Sequence, residues 1–196
     1  MSLSWQGLFW LTLLWSGWQP FERATWALEI APALIAWAIL LGTRHRFTFT
    51  PLLYTLILIH CIILMIGGKY TYALVPAGEW VSEWFGWSRN NYDKLGHLAQ
   101  GFVPAMVARE LFIRLDVIRG TGWRFALIVL SVLGISAAYE LIEWWVALLS
   151  EEAAESFLGT QGYVWDTQSD MFMAMLGAIA ALLTLAKWHD RQIARL

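Results

Sequence analysis

The sequence predicts an all-α, polytopic membrane helix bundle of about six transmembrane helices with both termini cytoplasmic. Three observations predict it. Of the 196 residues, 59% are hydrophobic and 14% are charged, against roughly 45–50% and about 25% in soluble domains. Apolar stretches recur along the whole chain at lengths that approach the ~20 residues of one crossing. Lys and Arg are distributed unequally between alternate connecting segments, which sets orientation.

The spans fall at about 5–19, 24–42, 51–67, 93–115, 122–149 and 166–187, leaving residues 1–196 as a single integral membrane domain. The first could pass for a signal peptide. However, MSLSWQ carries no positive charge, and no small-x-small cleavage site follows, so it reads as a retained helix. The second carries Glu29 and Pro32, and the third, Pro51 to Gly67, is short for a full crossing. Between spans three and four lies an outer loop, 68–92. In it Trp80, Trp84 and Trp87 recur at i, i+4 and i+7 and, with Val81 and Phe85, form an apolar stripe. That stripe suits a short interfacial aromatic helix on the outer surface, either an anchor or a lid. Lys69, Tyr70 and Tyr72 open the loop, and their spacing selects no role. Trp18, Trp26, Trp123, Trp144, Trp145, Trp165 and Trp188 lie near other span ends, as interfacial anchoring requires.

Nine basic residues fall in segments on the side of the N-terminus: Arg44, Arg46, Arg109, Arg114, Arg119, Arg124, Lys187, Arg191 and Arg195. Four fall on the other side: Arg23, Lys69, Arg89 and Lys94. The richer side is cytoplasmic by the positive-inside rule. The acidic segment Glu151, Glu152 and Glu155 then faces outward. The net charge of −2 gives no polybasic footprint and excludes nucleic acid as a partner; the expected partners are membrane lipids and a lipid-like substrate. A single cysteine, Cys61, allows neither an intrachain disulfide nor a thiolate metal cluster. Gly-x-Ser-x-Gly, His-Glu-x-x-His, P-loop and Rossmann patterns are absent, and Ser169 has no His nearby in sequence to activate it.

Ionisable residues inside the spans carry the functional signal, because each costs roughly 2.5–3.5 kcal/mol at a helix centre. Asp93 and His97 are four apart on span four, Glu140 and Glu143 three apart on span five, and Asp166 and Asp170 four apart on span six. Each pair therefore shares one helix face. At a rise of about 1.5 Å per residue, all six come out in the outer half of the membrane, together with Glu29 and His60. So many carboxylates at one depth raise one another's pKa unless something neutralises them. A divalent metal cation held by Asp93, His97, Glu140, Glu143, Asp166 and Asp170 is the most direct solution. Gln100 and Gln168 would orient the ligands. Proton sharing among the carboxylates is the other solution.

Simpler readings stand beside these. Asp93 and Asp166 sit at predicted span starts, where an acidic residue caps the helix and meets its positive dipole end. His60 fits a hydrogen-bonded bundle histidine, Glu29 a support for the kink near Pro32, and Glu110 with Arg114 a solvated i, i+4 pair. Glu140 and Glu143 have no bland reading of comparable weight. Three functions compete. The first is a metal-dependent membrane enzyme of hydrolase or transferase type, with Glu140 or Glu143 as catalytic general base and a site open to the outer leaflet. The second is a small transporter coupled to protons or a divalent cation, and the third is an accessory subunit. A transporter needs ionisable groups continuing through the inner half, where Ser131 and Ser136 are nearly all that span five offers.

The segments GKYTYALVP (68–76), RNNYDKLGHLAQGFVPA (89–105), AYELIEWW (138–145) and FLGTQGYVWDTQSDM (157–171) together resemble the YjdF-like family of bacterial inner-membrane proteins. Four motifs match in order and spacing over most of the chain from Gly68 onward, while the first two spans match only in kind. The resemblance implies a bacterial inner-membrane location and supplies no reaction, since the family is a domain of unknown function. The Asp-x-x-x-His opening of span four is also similar, far more weakly, to that of VanZ-like membrane proteins. Asp93, His97, Glu140, Glu143, Asp166 and Asp170 all fall inside the YjdF-like motifs.

Overall fold

A computed structural model describes residues 1–149 and 163–196. Glu151, Glu152, Glu155 and the first part of the 157–171 motif lie outside the described residues. Among the described residues there are seven helices and no strand. They are α1 (Leu3–Gly17), α2 (Arg23–Thr43), α3 (Pro51–Tyr70), α4 (Pro76–Phe85), α5 (Tyr92–Arg114), α6 (Thr121–Leu149) and α7 (Asp166–Ile193).

Each expected span falls on one helix. Four of them, α2, α3, α6 and α7, are long and apolar enough to cross a membrane. With 15 residues, α1 rises only about 22 Å, short of the ~30 Å hydrocarbon core. Length is not what separates α5 from the four: its 23 residues suffice, but Asp93, Lys94, His97, Arg109, Glu110 and Arg114 dilute its apolar surface. The third span is longer than its apolar stretch, because Gly68, Lys69 and Tyr70 continue α3 until Thr71 turns left-handed at φ 56°. At the other end of α3, Pro51 occupies the first turn and the Thr50 hydroxyl accepts the Leu53 amide, as an N-cap should.

Side-chain bonds fix the helix directions. The Trp5 indole donates to the Tyr54 carbonyl and Lys69 Nζ to that of Trp18, so α1 and α3 run parallel. Lys94 meets Asp166 and Arg109 meets His189, so α5 and α7 are parallel too. The bundle thus has a first end, where Asp93, Glu140 and Asp170 lie, and a second end at Glu110. The closest helix pair is α5 with α7. A Cβ on Gly101 would lie 1.8 Å from the Ala174 carbonyl oxygen, and one on Gly177 would lie 2.1 Å from that of Leu98. Small residues permit this backbone approach, which in lipid replaces the missing hydrophobic drive for helix association.

At the second end the structure corrects one expectation. Glu110 is not in a solvated pair: it is fully buried, and its carboxylate accepts the Thr50 amide and hydroxyl, Arg114 and His189. His189, also fully buried, accepts from Arg109 at Nδ1 and donates from Nε2 to Glu110. Because an arginine can only donate, this assignment makes His189 neutral with its proton on Nε2. Arg109 also pairs with Asp190 at 2.6 Å, and the Gln192 carbonyl accepts the Leu52 amide. The network ties the start of α3 to the ends of α5 and α7.

Candidate functional site

The site is assembled from three helices around one imidazole. His97, one turn into α5, donates from Nδ1 to Gln100 Oε1 at 2.9 Å, which leaves Nε2 as the ring nitrogen aimed at its neighbours. That Nε2 lies 3.4 Å from Asp93 Oδ1, 3.9 Å from Glu140 Oε1 and 3.9 Å from Asp170 Oδ2. Asp93, His97 and Asp170 are buried, and each offers a ligand atom within 4.8 Å of the others. Among the described residues, Asp93 Oδ2 and Glu140 Oε1 have no hydrogen-bond partner although they are shielded from solvent. A buried acceptor left unpaired is costly.

The α5–α7 crossing at Gly101 positions the first two helices, holding Asp93 beside Asp170. Glu140 comes from α6, which packs against both. Asp166 lies one turn before Asp170 on α7 and is engaged at the mouth by Lys94 at 3.0 Å and Arg89 at 3.3 Å. Lys94 also reaches Asp170 at 2.5 Å and Asp93 at 3.8 Å, and both cations lie over the Tyr163 ring. Glu143, one turn beyond Glu140, lines the adjoining cavity with Glu29 and Tyr139.

Of the six residues singled out in the sequence, four therefore converge on one point, Asp166 sits at the entrance, and Glu143 borders the cavity. Gln100 holds His97, as an orienting residue would; Gln168 is exposed instead. Asp93 and Asp166 are not the N-caps, which are Asn91 and Trp165 without side-chain caps, but each lies in the first turn of its helix, where a carboxylate meets the positive dipole end. Both acids sit in the first turn with their carboxylates turned to Lys94. Glu29 does more than support a kink, since it is buried in the cavity wall and accepts from the Tyr139 hydroxyl at 3.4 Å. The His60 Nε2, expected to be hydrogen-bonded, has no partner among the described residues and borders the same cavity.

Sequence reasoning missed Lys94, which counts there only as a loop charge; its place between Asp93 and His97 in an otherwise acidic helix start was the available signal. Tyr72 was also missed. It follows Thr71 with a second left-handed residue at φ 51°, a conformation that costs a non-glycine residue about 1–2 kcal/mol. This bend lays its ring over Gly67 and Gly96, where a Cβ would come within 2.3 and 2.9 Å of ring atoms, and brings Tyr72 into the cavity wall beside Glu29. Lys69 donates to the Trp15 and Trp18 carbonyls and so closes the end of α1.

Residues 1–191 match the family described as "Predicted membrane protein (DUF2238)". The chain belongs to this family. It is 53% identical to the inner membrane protein YjdF of Escherichia coli (strain K12) over 185 residues, which is 94% of this chain and 88% of that protein. No solved structure matches. Membership and identity at this level, with the apolar helices of the bundle, place the protein in the inner membrane. The family is one of unknown function, so the site's geometry is the source of a functional reading.

Proposed function

We propose that the protein is a metal-dependent membrane enzyme of hydrolase or transferase type acting on an amphiphilic, lipid-like substrate. The observation that carries this reading is His97 Nε2, held free by Gln100 and facing carboxylates from α5, α6 and α7. One nitrogen and several oxygens suit a hard or borderline divalent cation. Asp93, His97, Glu140 and Asp170 would hold the ion, and the orphaned Asp93 and Glu140 oxygens fit that role. When bound, such a cation polarises a scissile group and lowers the pKa of water. Glu143, at the cavity wall beside these groups, is the general base that takes the water's proton. Lys94 and Arg89 at the mouth neutralise Asp166 and orient the entrance.

The test is elemental analysis of protein purified without added metal, beside Glu140→Gln and Asp170→Asn variants. About one divalent ion per chain is expected in the parent, with strong loss in both variants, because an amide is a poorer ligand and removes a negative charge. Metal-free parent protein that stays metal-free after incubation with Mg, Mn, Zn and Ca would overturn the reading.

A second reading has its own support. Lys94 already lies against Asp166 and Asp170, so a fixed ammonium and shared protons would neutralise the cluster without metal, as in a proton-coupled transporter.

The proposed topology has six crossings, with both termini and the Glu110 end cytoplasmic and the His97 site in the outer half. The nine-to-four division of basic residues supports it. In a variant whose buried Cys61 is replaced by Ala, Glu79→Cys should react with a membrane-impermeant maleimide in intact spheroplasts. Arg195→Cys should react only after lysis, and the reverse pattern would invert the topology.

A further inference from the structure

The His97 site opens into a cavity of about 620 Å³, within the roughly 300–1,000 Å³ range of small-molecule pockets. Its walls come from α2, α3, α5 and α6, and it continues between them to Thr43 and Phe47 near the second end. Among the described residues α2 packs broadly on α3 alone and meets α6 only locally, as at Glu29 and Tyr139, so the cavity is a groove with α3 as its floor. From Glu29 to Thr43 the 14-residue separation corresponds to about 21 Å of helix. One leaflet of a ~30 Å hydrocarbon core is about 15 Å deep. The groove thus takes a full acyl chain and leaves several ångströms for the start of a headgroup.

Its walls also limit what can fill it. Beyond the polar end the lining includes Ala33, Ala36, Leu40, Val107, Ala108 and Leu111, which give water no hydrogen-bond partners, and the Thr43 hydroxyl at the far end is already committed to the Ile39 carbonyl. An empty groove would forfeit the dispersion contacts of all its walls. Hydrocarbon is the fluid that surrounds a membrane bundle. At the polar end the charged side chains of the lining are the acids Glu29, Asp93 and Glu143, with His60 and His97, and among the described residues no Lys or Arg belongs to it. Asp93 Oδ2, buried without a hydrogen bond and 3.8 Å from Lys94 Nζ, lies among them. Acceptors and negative charge at the head of an apolar groove complement an ammonium and repel an anionic headgroup.

We infer that this groove holds one acyl chain of a phosphatidylethanolamine from the leaflet at the Asp93 end, with its ammonium facing Glu29 and Glu143. The inference rests on the lipid-substrate part of the reading above and names its lipid. It does not depend on bound metal. A chelated protein that keeps the lipid contact would leave this inference standing while the metal reading fell.

The test uses the full chain in nanodiscs doped with phosphatidylethanolamine bearing a diazirine in mid-chain, or with the matching phosphatidylglycerol. Cross-linked peptides are mapped by mass spectrometry. Labelling is expected to concentrate on Leu40, Ala108 and Leu111 over the exposed Leu130 and Leu183, with the ethanolamine lipid exceeding the glycerol lipid about tenfold. Ala108→Trp should abolish groove labelling while the thermal midpoint holds or rises, because the indole fills the space. Paired Glu29→Gln and Glu143→Gln should bring the two lipids to equal labelling. Groove labelling no stronger than at Leu130 and Leu183, or unchanged in a folded Ala108→Trp, would overturn the chain site. Equal labelling by both lipids in the parent would overturn the ammonium assignment.

Discussion

Glu110→Ala should cost about 3–5 kcal/mol, the usual penalty for removing one partner of a buried charged network. The reason is local and complete. Glu110 is fully buried and accepts from Thr50, Arg114 and His189; when the carboxylate goes, the buried Thr50 and His189 donors are stranded, while Arg114 keeps the Thr48 carbonyl. The His189 proton on Nε2 then points into a space with no acceptor, while Arg109 still presses a donor on Nδ1. At about 2–4 °C per kcal/mol for a chain of this size, the thermal midpoint in detergent should fall by roughly 10 °C. Glu110→Gln keeps an acceptor for Thr50 but not the charge facing Arg114 at 2.8 Å, and should lie between parent and Ala. An unchanged midpoint in Glu110→Ala would mean that the second end is held by apolar packing alone.

Lys94→Met should be equally severe, but only in the absence of a compensating cation. Nζ is 2.5 Å from Asp170, 3.0 Å from Asp166 and 3.8 Å from Asp93, and the side chain is only 16% exposed. Its loss leaves clustered carboxylates facing one another in a medium that screens poorly, at a cost of about 3–5 kcal/mol in chelator. If the site holds a divalent ion, adding that ion restores the fold, by about 2.7 kcal/mol at a hundredfold excess over Kd. If proton sharing neutralises the cluster, metals do nothing and the midpoint recovers as pH falls. Protonation discharges the carboxylates that Lys94 no longer balances, so acid removes their mutual repulsion and restores the fold. Recovery by metal supports the enzyme reading; recovery by acid alone supports the proton-coupled one.

Much of the candidate site was legible without coordinates because a membrane penalises buried charge. Asp93, His97, Glu140 and Asp170 stood out against apolar surroundings, and helical spacing assigned each pair to a face. The residues that escaped did so for a common reason. Lys94 and Glu110 lie near span ends, where a charge can reach water and carries no cost that would mark it. Tyr72 depended on two consecutive left-handed residues that no periodicity reveals. Which cavity Glu29 and His60 border depended on how α2 and α3 lean on each other.

By itself the sequence determined a helical membrane bundle, its helix order and the end of the helices at which its ionisable groups gather, because hydropathy, spacing and helical rise are properties of single segments. Only the tertiary structure decided that His97 is the point on which three helices converge, that Lys94 sits among the acids, and that a groove runs from the site between α2 and α5. Those are relations between helices. They are set by where Gly101 and Gly177 let α5 and α7 touch and where α2 has no broad partner beyond α3, and such contacts depend on side chains far apart in the chain.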